Sequence, residues 1–133
     1  MSEEPAPRGF RARPRADASD HQRRIERLLE EVARLRSRFE RVSRDGREAF
    51  VASGSDSYDI GMLAVIHLAD FVARELPDAI AAALPELARD GLRATRNVAA
   101  HNCAGLDNAR LWSTVSEHAP ALLDDIEAAL RAR

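Results

Sequence analysis

The sequence predicts an all-α fold for one domain of 133 residues. Apolar residues recur at spacings of three and four over most of the chain, which is the period of an amphipathic helix. No stretch shows the apolar–polar alternation of a half-buried strand. Ala, Leu, Arg and Glu are abundant, and these residue types favour helices. We therefore predict an up-and-down bundle of four or five helices around a single hydrophobic core.

Composition restricts the classes of function. Hydrophobic residues make up 45% of the chain and charged residues 32%, a balance typical of soluble globular proteins. The formal net charge of −2 excludes strong overall attraction to nucleic acid, so any anion site must be a local patch. All 20 basic residues are Arg, which we attribute to codon bias in a GC-rich genome.

Cysteine usage and the absence of long apolar runs restrict the cellular setting. Cys103 is the only cysteine, which excludes an internal disulfide and a cysteine-based zinc site. No apolar run approaches the roughly 20 residues of a membrane span. The N-terminus carries acidic residues and prolines where a signal peptide would be apolar. We therefore expect a cytoplasmic protein that needs no membrane, metal or cofactor.

Residues 1–18 are predicted to form a disordered tail rich in Arg and Pro. They contain three Pro, four Arg and a single large apolar side chain, Phe10. Such a segment buries too little surface to offset its ordering entropy. The run Arg8–Arg15 has the charge to contact nucleic acid, but a solvated tail is favoured. Residues 19–133 are then the single helical domain.

The first helix is predicted to begin near Ser19, because Ser19 and Gln22 fit a capping box. One apolar stripe runs along it, with Arg and Glu on the opposite side. The stripe consists of Ile25, Leu28, Leu29, Val32, Leu35, Phe39 and Val42. It fits either a coiled-coil seam or one face of a bundle. We favour the bundle because the repeat stops at Asp45-Gly46 and further helices follow.

The second helix is predicted from about Ser57 to Leu76. Apolar residues cover most of its circumference, so the helix is buried or lies in an interface. These residues are Ile60, Met62, Leu63, Val65, Ile66, Leu68, Phe71 and Val72. His67 and Asp70 are polar exceptions, and for both a structural role is favoured over a catalytic one.

Prolines divide the C-terminal half into three helices. Pro77 and Pro85 bracket a short Ala-rich helix, and the next helix runs over residues 86–101. The final helix begins near residue 108 and contains Pro120, which we expect to break or kink it. Its apolar face consists of Leu111, Trp112, Val115, Leu122, Leu123, Ile126 and Leu130.

The candidate site lies on the helix over 86–101. Arg93, Asn97 and His101 are spaced by four and share one face, with Arg96 beside them. Arg can hold a phosphate oxygen with two hydrogen bonds and stabilise charge that develops in a transition state. His101 can take the proton from a ribose 2′-hydroxyl or give one to the leaving 5′-oxygen. These groups suffice to cleave a phosphodiester bond without a metal.

Geometry favours a site shared between two copies of the chain. Arg96 and His101 are five residues apart, so they diverge by about 140° on an ideal helix. A two-fold dimer that pairs these helices would bring the Arg of each protomer near the His of the other. The alternative, from the residues alone, is that His101 only stabilises a helix C-terminus next to its partial negative charge.

A longer pattern surrounds this pair. It consists of Arg96-Asn97, three residues, His101, then Gly105-Leu106-Asp107, Leu111-Trp112 and a last helix with Pro120. With the long first helix and the apolar second helix, this pattern resembles the HEPN superfamily, and more narrowly the HepT-like ribonuclease toxins, from about residue 20 to 130. Such proteins carry an Arg, a polar residue that is often Asn, a short spacer and then His. A second Arg–His pair, Arg15 and His21, lies outside the apolar framework and is discarded.

The resemblance implies a homodimeric, metal-independent endoribonuclease that acts as a toxin on RNA. Its usual partner is a minimal nucleotidyltransferase antitoxin. Arg96 and His101 would be the catalytic residues, contributed by both protomers to the RNA-cleaving cleft. We group Arg93, Asn97 and Asn102 with them as supporting, RNA-binding residues.

Cys103 departs from the family pattern. Many HepT-like toxins carry a Tyr two residues after the His, and the antitoxin silences them by attaching AMP to it. Here that position is Cys103, and the only tyrosine, Tyr58, is distant in sequence. Silencing would then require direct binding or modification of another residue. Cys103 is a candidate regulatory residue through oxidation, although a small buried Cys is the commoner case.

Two other functions compete with this interpretation. The first is a catalytically inactive HEPN-like binding module that partners a minimal nucleotidyltransferase. The change from Tyr to Cys103 favours it, and the intact Arg96, Asn97 and His101 argue against it. The second is a helical-bundle metalloenzyme, which the sequence disfavours because no Glu-x-x-His pair occurs and the histidines lack ligand spacing.

Overall fold

The computed structural model describes the backbone of residues 5–52, 54–101 and 108–133, and the side chains of residues 18–52, 54–97 and 108–133. Over these ranges the chain is almost entirely helical and contains no β-strand, which confirms the predicted all-α class. The helices in chain order are α1 (Pro5–Asp45), α2 (Arg47–Val51), α3 (Asp56–Asp70), a first π-helical segment (Phe71–Glu75), α4 (Asp78–Ala83), α5 (Glu86–His101), α6 (Asn108–Ser113), a second π-helical segment (Thr114–His118) and α7 (Ala119–Arg131).

α1 begins at Pro5, well before the predicted start at Ser19. Arg and Ala, which are strong helix formers, dominate residues 8–16, and the helix continues through them. Ser19 and Gln22 therefore lie inside a helix and do not cap its start. The predicted tail over residues 1–18 stays a prediction, and residues 1–4 lie outside the described residues.

The hydrophobic core lies where α1 contacts α3 and α7. The predicted stripe on α1 is buried, apart from the half-buried Leu29. The predicted apolar face of the last helix is also buried, with Trp112 packed against its edge. These faces confirm the core residues that the periodicity predicts for the two terminal helices.

α3 is buried on one side and open on the other. Val65, Leu68 and the following Phe71 are fully buried, whereas Leu63 is 51% exposed. Ile60, Met62 and Ile66 are half-buried. Within the described residues, one copy of the chain therefore buries only part of the apolar surface that the sequence predicts around this helix.

Both π-helical segments precede a proline. Leu76 N–H donates to Phe71 O, five residues back, and Pro77 then ends the helix. Ala119 N–H donates to Thr114 O in the same way, just before Pro120. Proline lacks an N–H and its ring collides with the carbonyl four residues back, so a widened turn accommodates it. Pro120 thus widens the final helix locally, and α6, the second π-helical segment and α7 follow one another without a break.

α2 is absent from the sequence prediction because five residues are too few to show a period. It is positioned by Phe50, which is fully buried between Tyr58 and Trp112, with ring centroids 5.4 Å and 5.3 Å away. Gly61 permits this packing. A Cβ at residue 61 would lie 2.7 Å from Phe50 Cε1, closer than real Cβ atoms approach a neighbour.

One arginine ties α1 to α7. Arg36 donates through Nη1 to Asp124 Oδ1 at 2.5 Å and through Nη2 to Glu127 Oε1 at 2.6 Å. Arg131 Nε also donates to Glu127, at 2.9 Å. The hydrogen bond from Arg131 holds the pKa of Glu127 below its usual value. Among the described helices, none combines the length and the apolar character needed to cross a membrane.

Candidate functional site

A cavity of about 470 Å³ lies between the end of α3, the first π-helical segment, α4 and α5. Four arginines line it, from two different elements. Its lining residues are Ala69, Asp70, Val72, Ala73, Arg74, Ala81, Arg89, Leu92, Arg93, Arg96 and Asn97. We call this the arginine cavity. Its volume is in the range of small-molecule and cofactor sites.

α5 supplies three of the four arginines. Arg89, Arg93 and Arg96 occupy positions i, i+4 and i+7, which lie along one side of a helix. Leu92 is buried and anchors α5 against the core. α5 packs against α3. The sequence pattern therefore turns a line of guanidinium groups toward α3.

Arg96 meets Asp70 across the cavity. Arg96 Nη2 lies 3.4 Å from Asp70 Oδ1, and the two side chains are 31% and 37% exposed. This distance exceeds the 2.7–2.9 Å that is usual for a charge-assisted hydrogen bond. Asp70 is thus a loose partner of Arg96, in the structural role that the sequence favours for it.

Two buried donors of the arginines beside the cavity have no acceptor. Within the described side chains, the Nε atoms of Arg89 and Arg96 are fully shielded from solvent and make no hydrogen bond. An unpaired buried donor costs about 1–3 kcal/mol, so such groups are rare and need an explanation. Both arginines also line the cavity, and a guanidinium carries further N–H donors of the kind that hold anionic oxygens.

The structure brings together three of the predicted site residues. Arg93, Arg96 and Asn97 line the same cavity. Arg93 is mostly exposed, and its ion pair with Asp90 is long, at 3.7 Å. The backbone of His101 ends α5, but its side chain lies outside the described residues.

Two more predictions cannot be placed. Asn102 and Cys103 both lie outside the described residues, so their predicted roles stay predictions.

Sequence reasoning missed two of the cavity arginines. Arg89 lies four residues before Arg93, so extending the predicted stripe by one turn would have found it. Arg74 carries no such signal, because it reaches the cavity from the first π-helical segment through tertiary packing. Neither side chain has an ion-pair partner among the described residues.

His67, the other polar exception on α3, is satisfied structurally. Arg38 Nη1 lies 2.8 Å from His67 Nδ1. A guanidinium has only donors, so in this hydrogen bond Nδ1 of His67 is the acceptor. The bond connects α1 to α3 and agrees with the structural role that the sequence favours for His67.

The chemistry of the cavity is that of an anion site. Asp70 is its only described carboxylate, against four arginines. Low-dielectric walls strengthen the field of such a cluster. Among the described residues, no three His, Cys, Asp or Glu side chains come together to hold a metal ion. The arrangement is able to hold an oxyanion such as a phosphate and to stabilise added negative charge on it.

Comparison with known proteins gives no match, since no family model fits the chain and neither a curated protein nor a solved structure is significantly similar to it.

Proposed function

We propose that this chain is a metal-independent endoribonuclease that cleaves RNA at a site containing Arg96 and His101. The observation that supports it best is the arginine cavity, where four arginines face a single carboxylate among the described lining residues and Arg96 is only loosely paired. Local positive charge of this kind is what a chain with net charge −2 needs in order to bind RNA.

The proposed reaction is attack of a ribose 2′-hydroxyl on the adjacent phosphorus. The new O–P bond forms as the bond to the 5′-oxygen breaks, leaving a 2′,3′-cyclic phosphate and a 5′-hydroxyl. Arg96 holds the phosphate oxygens and stabilises their developing charge. The 2′-hydroxyl loses a proton and the leaving 5′-oxygen gains one. His101 carries out one of these two transfers, and water carries out the other.

The proposed assembly is a HEPN-like, up-and-down helical bundle that forms a two-fold homodimer. Arg96 and His101 diverge by about 140° around the axis of one helix. A dimer overcomes this divergence, because the cleft then uses the Arg of one protomer and the His of the other. In this proposal the protein is the cytoplasmic toxin of a toxin–antitoxin pair, and a minimal nucleotidyltransferase is its antitoxin.

The test is incubation of the purified protein with total cellular RNA in EDTA. His101→Ala is compared with His21→Ala, which removes the same side chain from an exposed position on α1. We expect cleavage by the native protein and by His21→Ala, and a loss of at least about 100-fold in His101→Ala, as for removal of a general acid or base. Circular dichroism checks that each variant is folded.

A second substrate tests the reaction itself. An RNA with 2′-O-methyl riboses lacks the attacking hydroxyl and should remain intact, and products of normal RNA should end in 2′,3′-cyclic phosphate. Equal cleavage by the native protein and His101→Ala would contradict the assignment of His101. No cleavage by the native protein would favour the alternative function, a HEPN-like binding module for a nucleotidyltransferase.

A further inference from the structure

The arginine cavity extends beyond Arg96, the one described residue that the proposed reaction uses. Arg89 lies two helical turns before Arg96 on the same side of α5, about 10 Å away along the axis. Arg74 approaches from the first π-helical segment. Neither arginine has a role in the proposed cleavage step, and neither is neutralised by a carboxylate among the described residues.

The guanidinium groups of Arg89 and Arg74 suit a ligand with several oxygens. Arg89 is half-buried, and its Nε is shielded from solvent without an acceptor within the described part of the chain. Guanidinium groups bind phosphate oxygens through paired N–H donors. A phosphate group in the cavity is therefore the kind of ligand that the guanidinium groups of Arg89 and Arg74 bind.

The apolar part of the lining suits the rest of a nucleotide. Ala69, Ala73 and Ala81 line the cavity together with Leu92. Small apolar side chains leave space and offer a dry surface. A volume of about 470 Å³ exceeds the need of a lone inorganic phosphate and suits a larger, partly apolar group such as a sugar or a base.

We propose that Arg89 and Arg74 form a phosphate subsite that binds the nucleotide next to the scissile bond, so that the RNA strand runs along α5 from Arg96 toward Arg89. This rests on the proposed function, because it takes Arg96 as the residue that holds the scissile phosphate. A row of guanidiniums along one helix face fits successive phosphates of a strand better than the single phosphate group of a free mononucleotide.

The experiment measures binding without cleavage. Fluorescence anisotropy follows a short, labelled 2′-O-methyl oligoribonucleotide on the full chain, on Arg89→Gln and on Arg74→Gln. Arg131→Gln is the matched control, because it removes the same charge from an exposed side chain outside the cavity. A nucleoside 5′-monophosphate is added as a competitor to separate strand binding from binding of a free nucleotide.

We expect each cavity variant to weaken oligonucleotide binding about tenfold, as for removal of one charge-assisted hydrogen bond. The slope of log Kd against log salt should also become shallower by about 0.7 for each phosphate that the variant no longer binds. Arg131→Gln should change neither quantity. The monophosphate should compete only at concentrations far above the Kd of the oligonucleotide.

Two outcomes would overturn the subsite. In one, folded Arg89→Gln and Arg74→Gln bind the oligonucleotide as Arg131→Gln does. In the other, the monophosphate binds as tightly as the oligonucleotide and loses its affinity in both variants, which would identify a site for a free nucleotide.

The subsite and the proposed function can fail separately. If Arg89→Gln loses oligonucleotide binding while the native protein cleaves no RNA, the strand subsite stands and the nuclease function does not. If the native protein cleaves RNA and both variants bind and cleave as it does, the nuclease function stands and the subsite is wrong.

Discussion

Arg96 of α5 and Asp70 of α3 form a loose ion pair, with 3.4 Å between Nη2 and Oδ1. Both side chains are about one-third exposed, so water screens their attraction. Asp70 is also the only carboxylate among the described lining residues of the arginine cavity. The aspartate therefore competes with any anion that Arg96 is to bind.

Replacing Asp70 by Asn should tighten binding of anions. Asp70→Asn removes the internal competitor and one negative charge, and the expected gain is about fivefold in affinity for a 2′-O-methyl oligoribonucleotide, given that exposed pairs contribute at most about 1 kcal/mol. Asp59→Asn, on an exposed position of the same helix, is the control. Weaker binding in Asp70→Asn alone would instead assign Asp70 the role of positioning Arg96.

Mixing two inactive variants tests whether the cleft is shared. Arg96→Ala and His101→Ala should each be inactive. If each site combines the Arg of one protomer with the His of the other, a mixed dimer has one intact site of two, and an equal mixture should recover about a quarter of native activity. RNA cleavage after co-refolding measures this. If the mixture cleaves no more RNA than either variant alone, each site is built within one chain.

Hydrophobic periodicity is enough to predict the α1 stripe and the apolar face of the last helix, and the prolines are enough to predict the span of α5, because these depend on local sequence alone. The start of α1 differs from the prediction because the helix-forming Arg and Ala of residues 8–16 carry the helix past Pro14. α2 was missed because its position comes from the burial of Phe50, a tertiary effect.

The residues of the candidate site were likewise predictable only in part. The line of Arg93, Arg96 and Asn97 follows from spacing on one helix, and all three line one cavity. Asp70 and Arg74 enter the cavity only because α3 and its π-helical extension pack beside α5. Contacts between elements distant in sequence leave no periodic signal, so single-sequence reasoning had no means of finding them.

Two glycine substitutions should change stability in opposite directions. Alanine has the higher helix propensity, by about 1 kcal/mol. At Gly61 the new methyl group would lie 2.7 Å from Phe50 Cε1 in a ring that is fully buried, so Gly61→Ala should lower the free energy of unfolding by about 1–3 kcal/mol.

Gly91 provides the matched control for that change. It lies within α5, and a Cβ there meets nothing within 4 Å. Gly91→Ala should therefore raise the free energy of unfolding by up to about 1 kcal/mol. Urea denaturation measures both variants. A stabilising Gly61→Ala would show that Phe50 can move and that the close approach does not constrain the packing.

Glu127 should make the stability of the fold depend on pH in the acidic range. The hydrogen bond from Arg131 holds its pKa below the usual value, and Arg36 adds a second partner from α1. A carboxyl group whose pKa is lower in the folded state contributes stability that is fully present above its unfolded pKa, about 4.3, and is lost as the pH falls through the folded pKa. Glu127→Gln should thus lower Tm at pH 7, and the difference from the native protein should disappear at low pH.

Glu117→Gln, at an exposed position without an ion-pair partner among the described residues, should leave Tm unchanged at both pH values. A Tm difference for Glu127→Gln that persists at low pH would mean that its side chain stabilises the fold by packing rather than by charge.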